Sequence, residues 1–287
     1  MRRLLFFCLL LSVVAICPAS KRVPVILVAG QSNADGRVPM ADFPKDVVYR
    51  YCQWSYGSGD FETASGRFTL FSPRVAKPKI ERSWGFDAIV YHLLEQHWQR
   101  PFYVIKQTMG GTAIDTTCTK STHGWFWSVD AKEKSLLKAF ERQIDDCFSA
   151  LSPQTPDIKC LIWHQGESDL KAADHYYDNL KAVITHLRQH LVEKTGDARY
   201  VSLPVICGTF AKGSRQGSPK VVEALYRLQS DDINFHVVDA SDLSLQRDQL
   251  HFDAQGAMTL GERVFEKLTK HPLDVWPVND KIQRYPF

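Results

Sequence analysis

The sequence predicts an α/β fold, a three-layer α/β/α sandwich in which helices cover both faces of a central parallel sheet. Short apolar runs, typical of buried strands, alternate along the chain with longer segments whose apolar residues recur at helical spacing. Such an alternation requires crossover connections, which are right-handed and make neighbouring strands parallel. The 287 residues are enough for one domain with a large core, and the sequence shows no repeat or low-complexity linker that would divide it.

Each element is predicted from its own pattern. The apolar runs predicted to be strands are residues 23–29, 47–52, 102–107, 158–163, 205–208 and 235–239. The amphipathic stripes predicted to be helices are residues 86–94, 136–148, 176–191 and 257–268, with Ser83 as a candidate N-cap of the first. Residues 53–79 and 115–129 lack both patterns and leave the sheet at strand carboxyl ends, where loops usually shape a substrate site.

The N-terminal segment, residues 1–20, is typical of a secretory signal peptide. A basic start precedes an apolar stretch that ends at Cys17, and cleavage is expected after Ala19 or Ser20. We therefore expect an exported protein, periplasmic or extracellular, whose mature chain, residues 21–287, is a single domain. Lipid attachment at Cys17 is an alternative, disfavoured by the large residue before it. The apolar stretch is shorter than the roughly 20 residues of a spanning helix, and we predict no membrane span.

Charge and cysteine content exclude several classes of function. The net charge is +3 without any basic run, which argues against a nucleic-acid partner. Of the cysteines after residue 20, Cys52 and Cys118 lie in loops and are candidates for a disulfide, whereas Cys147, Cys160 and Cys207 are expected to be buried thiols. No cysteine shows the paired spacing of a zinc site, so we predict neither a metal nor another cofactor.

Two further patterns have a structural and a functional interpretation. His186 and His190 have the i, i+4 spacing of a zinc site on a helix, but the glutamate of a metalloprotease motif is missing, which favours a solvated helix face. The aromatic residues 125–127 can form a platform for a sugar ring or anchor their own loop.

A serine nucleophile is predicted at the end of the first strand. Ser32 falls where the strand turns towards a helix, the edge at which open α/β sheets place ligands, although a helix N-cap is the structural alternative. His251, near the other end of the chain, is the candidate general base. Asp248, three residues earlier, can orient its imidazole, and Glu167 is the alternative carboxylate.

An ester hydrolase also needs donors for the oxyanion that develops on the carbonyl oxygen. The backbone N–H of Ser32 is one candidate, and Gly111, after the third predicted strand, is a second. The side-chain amide of Gln165 is the third candidate. Gln31 and Asn33, which flank the serine, are assigned to oxyanion or substrate binding.

Four blocks of the sequence resemble the SGNH hydrolase superfamily, specifically its branch of carbohydrate esterase family six and sialate O-acetylesterases: residues 30–34, 110–114, 164–169 and 248–251. They occur in the order of the family and span nearly all of the chain after residue 20. The resemblance implies a flavodoxin-like sandwich, no metal, and removal of O-acetyl groups from sugars through an acyl-serine intermediate. Gln165 stands where many members of the superfamily have an asparagine, as is usual in this branch.

We therefore expect an exported acetylesterase whose partner is an acetylated carbohydrate, with plant polysaccharide such as acetylxylan, or its oligosaccharides, as the first substrate. A sialate O-acetylesterase is the alternative enzyme. The alternative outside catalysis is a carbohydrate-binding protein that retains the hydrolase fold. An ordinary α/β-hydrolase is disfavoured because its nucleophile normally follows several strands and not the first.

Overall fold

The computed structural model describes residues 21–57, 66–73 and 83–270. The segment assigned to a signal peptide, including Cys17, lies outside these residues, so its cleavage, any lipid attachment and the domain boundary remain predictions. The strands are β1 (Arg22–Gly30), β2 (Val38–Pro39), β3 (Cys52–Gly57), β4 (Thr69–Leu70), β5 (Ser83–Trp84), β6 (Phe102–Thr108), β7 (Thr155–His164), β8 (Val205–Gly208) and β9 (Phe235–Val238). The α-helices are α1 (Ser32–Asp35), α2 (Phe86–Trp98), α3 (Leu136–Leu151), α4 (Tyr176–Thr195), α5 (Pro219–Asp231) and α6 (Ala254–Lys270).

The main sheet has the strand order β4-β3-β6-β1-β7-β8-β9. Its neighbouring strands are parallel except for the antiparallel edge pair of β3 and β4. β1 lies between β6 and β7, so the segments that follow these two strands emerge on either side of the segment that follows β1. β2 and β5 form a separate antiparallel pair.

Two hydrophobic cores lie on opposite faces of the sheet. Along β1, Val25 and Leu27 belong to one core, whereas Ile26 and Val28 belong to the other, as the alternation of side chains along a strand requires. Helices α3, α4 and α5 pack into the first core, and α2 and α6 pack into the second. Helices therefore cover both faces, which confirms the predicted three-layer sandwich.

The predicted strand at residues 47–52 is wrong, because the sheet strand in this region is Cys52–Gly57. The backbone N–H groups of Arg50, Tyr51 and Cys52 donate to the buried carboxylate of Glu95 on α2, at 2.6 to 2.9 Å. These amides are thus bonded to a helix side chain, and the ladder with β6 begins only at Cys52.

Two helix predictions need correction. Helix α2 begins at Phe86 with Gly85 as its N-cap, and Ser83 lies in β5, where its hydroxyl donates to Gly36 O at 2.8 Å. The sequence analysis missed α5 altogether. Its signal was present, since Ser218 and Pro219 form a favourable helix start and an apolar stripe follows.

The cysteine and aromatic predictions have mixed outcomes. All cysteines of the described residues are buried free thiols, so the disulfide between Cys52 and Cys118 is not formed. Trp127 is fully buried, with its ring centroid 5.1 Å from that of Trp163, and Trp125 is buried as well. These tryptophans anchor the loop in the core and do not form a sugar platform; Phe126 alone of the run is partly exposed.

Candidate active site

The carboxyl ends of the central strands bring the predicted motifs together. Gly30 ends β1, the pair Gly110 and Gly111 follows β6, and Gln165 follows β7 directly. Because these strands are adjacent and parallel, their carboxyl ends meet at one edge of the sheet, the usual ligand position in open α/β folds.

The turn that presents Ser32 depends on a glycine. Gly30 has a φ of +150°, and a Cβ at this position would lie 2.1 Å from the carbonyl oxygen of His164. Gln31 N then donates to the same carbonyl at 3.0 Å, and Ser32 begins the short helix α1. The chain thus turns out of β1 within two residues and leaves the Ser32 side chain at the sheet edge.

Ser32, His251 and Asp248 form a continuous hydrogen-bonded series. The Oγ atom of Ser32 lies 2.9 Å from His251 Nε2, and His251 Nδ1 lies 2.6 Å from Asp248 Oδ2. Ser32 is 6% exposed, so the nucleophile lies in a largely enclosed position. The two motifs, separated by most of the sequence, meet in the order that nucleophilic catalysis requires.

The loop from Asp248 to Phe252 holds the imidazole by a local turn. Asp248 Oδ1 accepts hydrogen bonds from the N–H groups of Leu250 and His251 at 2.9 and 3.0 Å. Gln249, which lies between Asp248 and Leu250, has a φ of +53°, an uncommon conformation for a residue with a side chain. One carboxylate therefore fixes both the turn and the imidazole.

Burial and nearby charges set the protonation of this pair. Burial lowers the pKa of His251, and Asp248 raises it by its hydrogen bond and charge. The charges of Arg37 and Arg215 lower it again, and the net direction is downward. Partial burial raises the pKa of Asp248, but the N–H donors of its turn, together with the hydrogen bond and charge of His251, outweigh this effect and lower it. At neutral pH the imidazole is thus uncharged and can accept a proton, while the carboxylate is ionised.

Glu167 does not contact His251. Its Oε1 atom accepts a hydrogen bond from Asn33 Nδ2 at 2.8 Å and lies 3.8 Å from His164 Nε2. Burial raises the pKa of Glu167 and lowers the pKa of His164 to about 4. Of the two carboxylates that the sequence offered, Asp248 is the one in contact with the imidazole.

The glycine beside Ser32 is Gly110, whereas the sequence analysis assigned the oxyanion role to Gly111. A Cβ on Gly110 would lie 3.3 Å from Ser32 Cβ, whereas a Cβ on Gly111 would lie 2.4 Å from Thr122 Oγ1. Gly111 has a φ of +71°, and its carbonyl accepts from Thr122 N at 2.9 Å, so it forms the turn. Within the described residues, the N–H groups of Ser32, Gly110 and Gly111 have no acceptor.

The Gln165 amide, predicted to be an oxyanion donor, is directed into the protein. It belongs to residues 164–169, which form the floor of the site. Its Nε2 donates to Thr112 O at 2.9 Å and to Asp169 Oδ2 at 2.5 Å, and lies 3.2 Å from Gln31 Oε1. Its Oε1 accepts from the Tyr176 hydroxyl at 3.1 Å. The side chain is fully buried, so its amide ties the loop after β6 to the floor and has no hydrogen left for a substrate oxygen.

The side chains that flank Ser32 also make internal contacts. Gln31 Oε1 accepts from the N–H groups of Gly166 and Ser168 at 3.4 and 3.3 Å. Asn33 bonds to Glu167 and to the backbone of the loop that carries the candidate base. Both side chains thus join the nucleophile turn to neighbouring segments.

Sequence reasoning missed Arg37, whose guanidinium lies at this site. Its Nη1 atom forms an ion pair with the fully buried Asp35 and donates to Gly36 O at 3.0 Å. Its Nη2 atom lies 2.5 Å from the Cβ position of Gly110. Arg37 is seven residues from the end of β1, and only the buried carboxylate, which also accepts from Tyr56 OH at 2.6 Å, shows why the cation is held there.

Among residues 21–57, 66–73 and 83–270, no cluster of histidine, cysteine and acidic side chains is arranged to hold a metal ion. His186 instead pairs with Glu141 at 2.8 Å, and His190 with Asp145 at 3.0 Å. None of the helices there is both long and apolar enough to cross a bilayer.

Solved structures share this fold. A protein from Arabidopsis thaliana matches with a TM-score of 0.66 and 20% identity over 86% of this chain and 98% of that chain. NanS matches with a TM-score of 0.62 and 15% identity over 88% of this chain and 97% of that chain. A carbohydrate acetylesterase from Xanthomonas citri matches with a TM-score of 0.55 and 16% identity over 86% of this chain and 55% of that chain. At these identities the likeness supports the fold.

The family comparison reaches further than the fold. Comparison with curated proteins finds no match. The model of the family described as carbohydrate esterase, sialic acid-specific acetylesterase, matches residues 22–270, a range that includes Ser32 and His251. Because this match covers most of the sequence, the chain belongs to that carbohydrate esterase family and is a carboxylic ester hydrolase of the carbohydrate acetylesterase type.

Proposed function

We propose that this protein is an exported O-acetylesterase in which Ser32 is the nucleophile, His251 the general base and Asp248 the carboxylate that orients it. The observation that supports this proposal is the series of contacts from Ser32 Oγ to His251 Nε2 to Asp248 Oδ2, at 2.9 and 2.6 Å. These are the distances at which a proton can pass from a serine to an imidazole held in one tautomer.

In the first half-reaction, Ser32 Oγ attacks the acetyl carbonyl carbon while His251 Nε2 takes the hydroxyl proton. The negative charge on the carbonyl oxygen is met by the N–H group of Ser32 and by that of Gly110, which lies beside it. The imidazolium, stabilised by Asp248, then gives its proton to the sugar oxygen as the carbon–oxygen bond breaks. The sugar leaves with its hydroxyl group, and the acetyl group stays on Ser32.

In the second half-reaction, water attacks the acetyl-serine. His251 takes a proton from the water and returns it to Ser32 Oγ as acetate leaves. Because the pKa of His251 is lowered, the imidazole is neutral and ready for this role at neutral pH. Apart from the ester and water, the cycle uses side chains and backbone groups of the chain.

For the substrate we propose acetylated plant polysaccharide, such as acetylxylan, or its oligosaccharides. The long loop that follows Gly111 leaves the sheet at the edge that carries Ser32, where loops usually shape a substrate site. We further propose that residues 1–20 direct export and that cleavage follows Ala19 or Ser20. The N-terminal sequence of the exported protein tests this part of the proposal.

A second substrate class, O-acetylated sialic acid, is favoured by the arginines at the site. The Nη2 atom of Arg37 lies beside Gly110 and has no acceptor within the described residues. Arg215 is exposed, its N–H donates to Gln249 O at 2.9 Å, and its charge acts on His251. A sialic acid carries a carboxylate, which a guanidinium binds strongly. A neutral xylose chain has no such group.

Acetate release from both substrates by the native protein and by Ser32→Ala tests the proposal. We expect Ser32→Ala to lower kcat by on the order of 10⁶, the effect of removing a triad serine in other hydrolases. Ser135→Ala is the matched control, because Ser135 is equally buried but caps helix α3. Acetate release that survives in Ser32→Ala would exclude the acyl-serine mechanism. Faster release from O-acetyl sialic acid than from acetylated xylan would select the second substrate class.

A further inference from the structure

We propose that Asn33 and Glu167 are positioning residues, which hold the loop of the general base in register with the nucleophile. This inference rests on the proposed function, because it assigns to Asn33 and Glu167 the task of keeping His251 at hydrogen-bond distance from Ser32. Neither residue is assigned a chemical step: Asn33 acts on His251 through the loop backbone, and Glu167 acts through Asn33.

The Asn33 amide forms hydrogen bonds to the loop on both sides of His251. Its Nδ2 donates to the carbonyl of Leu250 at 3.3 Å, and its Oδ1 accepts from the N–H of Phe252 at 3.2 Å. These are the residues immediately before and after the base. Since Asn33 directly follows Ser32 in α1, one side chain links the backbone of the nucleophile to the two peptide groups that flank the imidazole.

Glu167 determines which way the Asn33 amide faces. Its Oε1 accepts the second Nδ2 hydrogen at 2.8 Å, and a carboxyl oxygen that carries no proton can only accept. A reversed amide would direct Oδ1 at Glu167 and at the carbonyl of Leu250, and would lose the bond from Phe252. Glu167 is 2% exposed and begins the 3₁₀ helix that follows β7, so its enclosed carboxyl group provides a reference for the amide.

The loop is partly exposed and contains a residue in an uncommon backbone conformation. The Asp248 side chain is 39% exposed, and Gln249 adopts its uncommon φ of +53°. Other contacts hold the loop as well, since Gln246 Nε2 donates to Phe252 O at 2.9 Å and to Arg37 O at 3.0 Å, and Arg215 N donates to Gln249 O at 2.9 Å. Loss of the Asn33 hydrogen bonds should therefore displace the imidazole, while the remaining contacts keep the loop folded against the domain.

The magnitude follows from the sensitivity of proton transfer to geometry. A displacement of about 1 Å in a reacting group costs about 100-fold in rate. With the Asn33 contacts removed and the other contacts left in place, we expect Asn33→Ala to lower kcat by about 10- to 100-fold and to leave KM within about twofold. Glu167→Ala should lower kcat by about tenfold, while Glu167→Gln, which keeps an acceptor oxygen, should restore most of the loss.

The double variant Asn33→Ala with Glu167→Ala is the decisive measurement. If Glu167 acts through Asn33, the double variant has the kcat of Asn33→Ala alone, because the carboxylate then has no amide to orient. Multiplied losses would show that Glu167 acts by another route and would overturn the inference. The pH profile of kcat/KM is recorded in parallel, since a displaced imidazole changes its burial and its distance to Asp248.

Gln143→Ala is the control for a merely structural role. Gln143 is also a buried amide that bridges backbone groups, with Nε2 bonded to Ser55 O at 3.0 Å, but it lies on α3 away from the loop. We expect it to lower the melting temperature without a comparable loss of kcat. If Asn33→Ala matches this control in kcat, or raises only KM, the positioning role is wrong. Ser32→Ala, assayed beside these variants, reports separately on the proposed function, and Asn33→Ala alone decides the question if Glu167→Ala does not fold.

Discussion

The pKa of the carboxylate in the loop that carries His251 and the pKa values of the carboxylates in the floor, residues 164–169, are shifted in opposite directions. In the loop, Asp248 is partly exposed, and N–H donors hold its pKa below the ordinary value although partial burial alone would raise it. In the floor, Glu167 and Asp169 are almost wholly enclosed, and burial raises the pKa of both. The carboxylate that faces the imidazole thus stays ionised, while the buried acids bind amides.

This difference teaches that a dense polar motif need not be reactive. The carboxylate of Asp169 accepts from the N–H groups of Ile114 and Asp115 at 2.9 to 3.0 Å and from the amide of Gln165 at 2.5 Å. It therefore fixes the loop after β6, as Glu167 fixes Asn33. In this site the buried acids hold the scaffold, and the chemistry is expected at the more exposed acid.

The largest effect that separates the two regions is expected from Asp248→Asn. The asparagine keeps the Oδ1 acceptor of the turn but replaces Oδ2 by an NH₂ group, which cannot accept the Nδ1 hydrogen of His251. We expect kcat to fall by about 10²- to 10⁴-fold, with KM and the melting temperature nearly unchanged. Steady-state acetate release and thermal unfolding measure the two parts of this prediction.

Asp242→Asn is the matched control for this change, because Asp242 is also an exposed loop acid, paired with Arg263 at 2.6 Å. It should leave kcat unaltered. A small effect of Asp248→Asn together with a thousandfold loss in Glu167→Gln would reverse the comparison and make Glu167 the orienting acid.

The next effect is on stability and belongs to the floor. Asp169→Ala removes an acceptor shared by Ile114 N, Asp115 N and the Gln165 amide, and leaves the two backbone N–H groups buried without this acceptor. We expect the free energy of unfolding to fall by about 2–4 kcal/mol. Asp248→Ala, whose turn is open to water, should cost less than about 1 kcal/mol. Urea unfolding of the two variants compares the regions directly, and equal losses would remove the distinction.

Much of the fold was predictable because strand and helix patterns are local. The apolar runs that became β1, β6, β7, β8 and β9 are continuous in the sequence, and each lies in the centre or on the β9 side of the sheet. The strand at residues 47–52 was mispredicted because an equally apolar run had its amides bound by Glu95, a residue far away in sequence. Hydrogen-bond partners of this kind have no local signature.

The site also contains residues that local patterns predict and residues whose role depends on distant contacts. Ser32, His251 and Asp248 were named from the sequence, since a strand end and a short D-x-x-H turn define where such side chains lie. The direction of the Gln165 amide and the choice between the two glycines were not predictable, because both depend on atoms that only the folded chain brings near. Arg37 was missed for the same reason, since its partner Asp35 is recognisable as an anchor only once it is buried.

The smallest expected effect concerns the charge around the loop, and it is seen in the pH profile. The charges of Arg37 and Arg215 lower the pKa of His251, whereas Asp248 raises it. The base acts in its neutral form, so kcat/KM falls as the pH decreases through this pKa. Removing one lowering charge raises the pKa. Arg215→Gln should therefore move the acidic limb of the profile to higher pH, with the plateau at high pH little changed for a neutral acetyl ester.

Salt sharpens this prediction, because Arg215 is exposed and its field on the imidazole is screened by ions. The difference between native protein and Arg215→Gln should shrink as the ionic strength rises, since the Debye length falls from about 10 Å at 0.1 M to about 3 Å at 1 M. Lys267→Gln is the control, because this exposed cation on α6 is not among the charges that act on His251. A shift of the limb to lower pH in Arg215→Gln, or an equal shift in the control, would contradict the assignment. The limb would then report a group outside the loop, and the contrast between loop and floor would lose its electrostatic part.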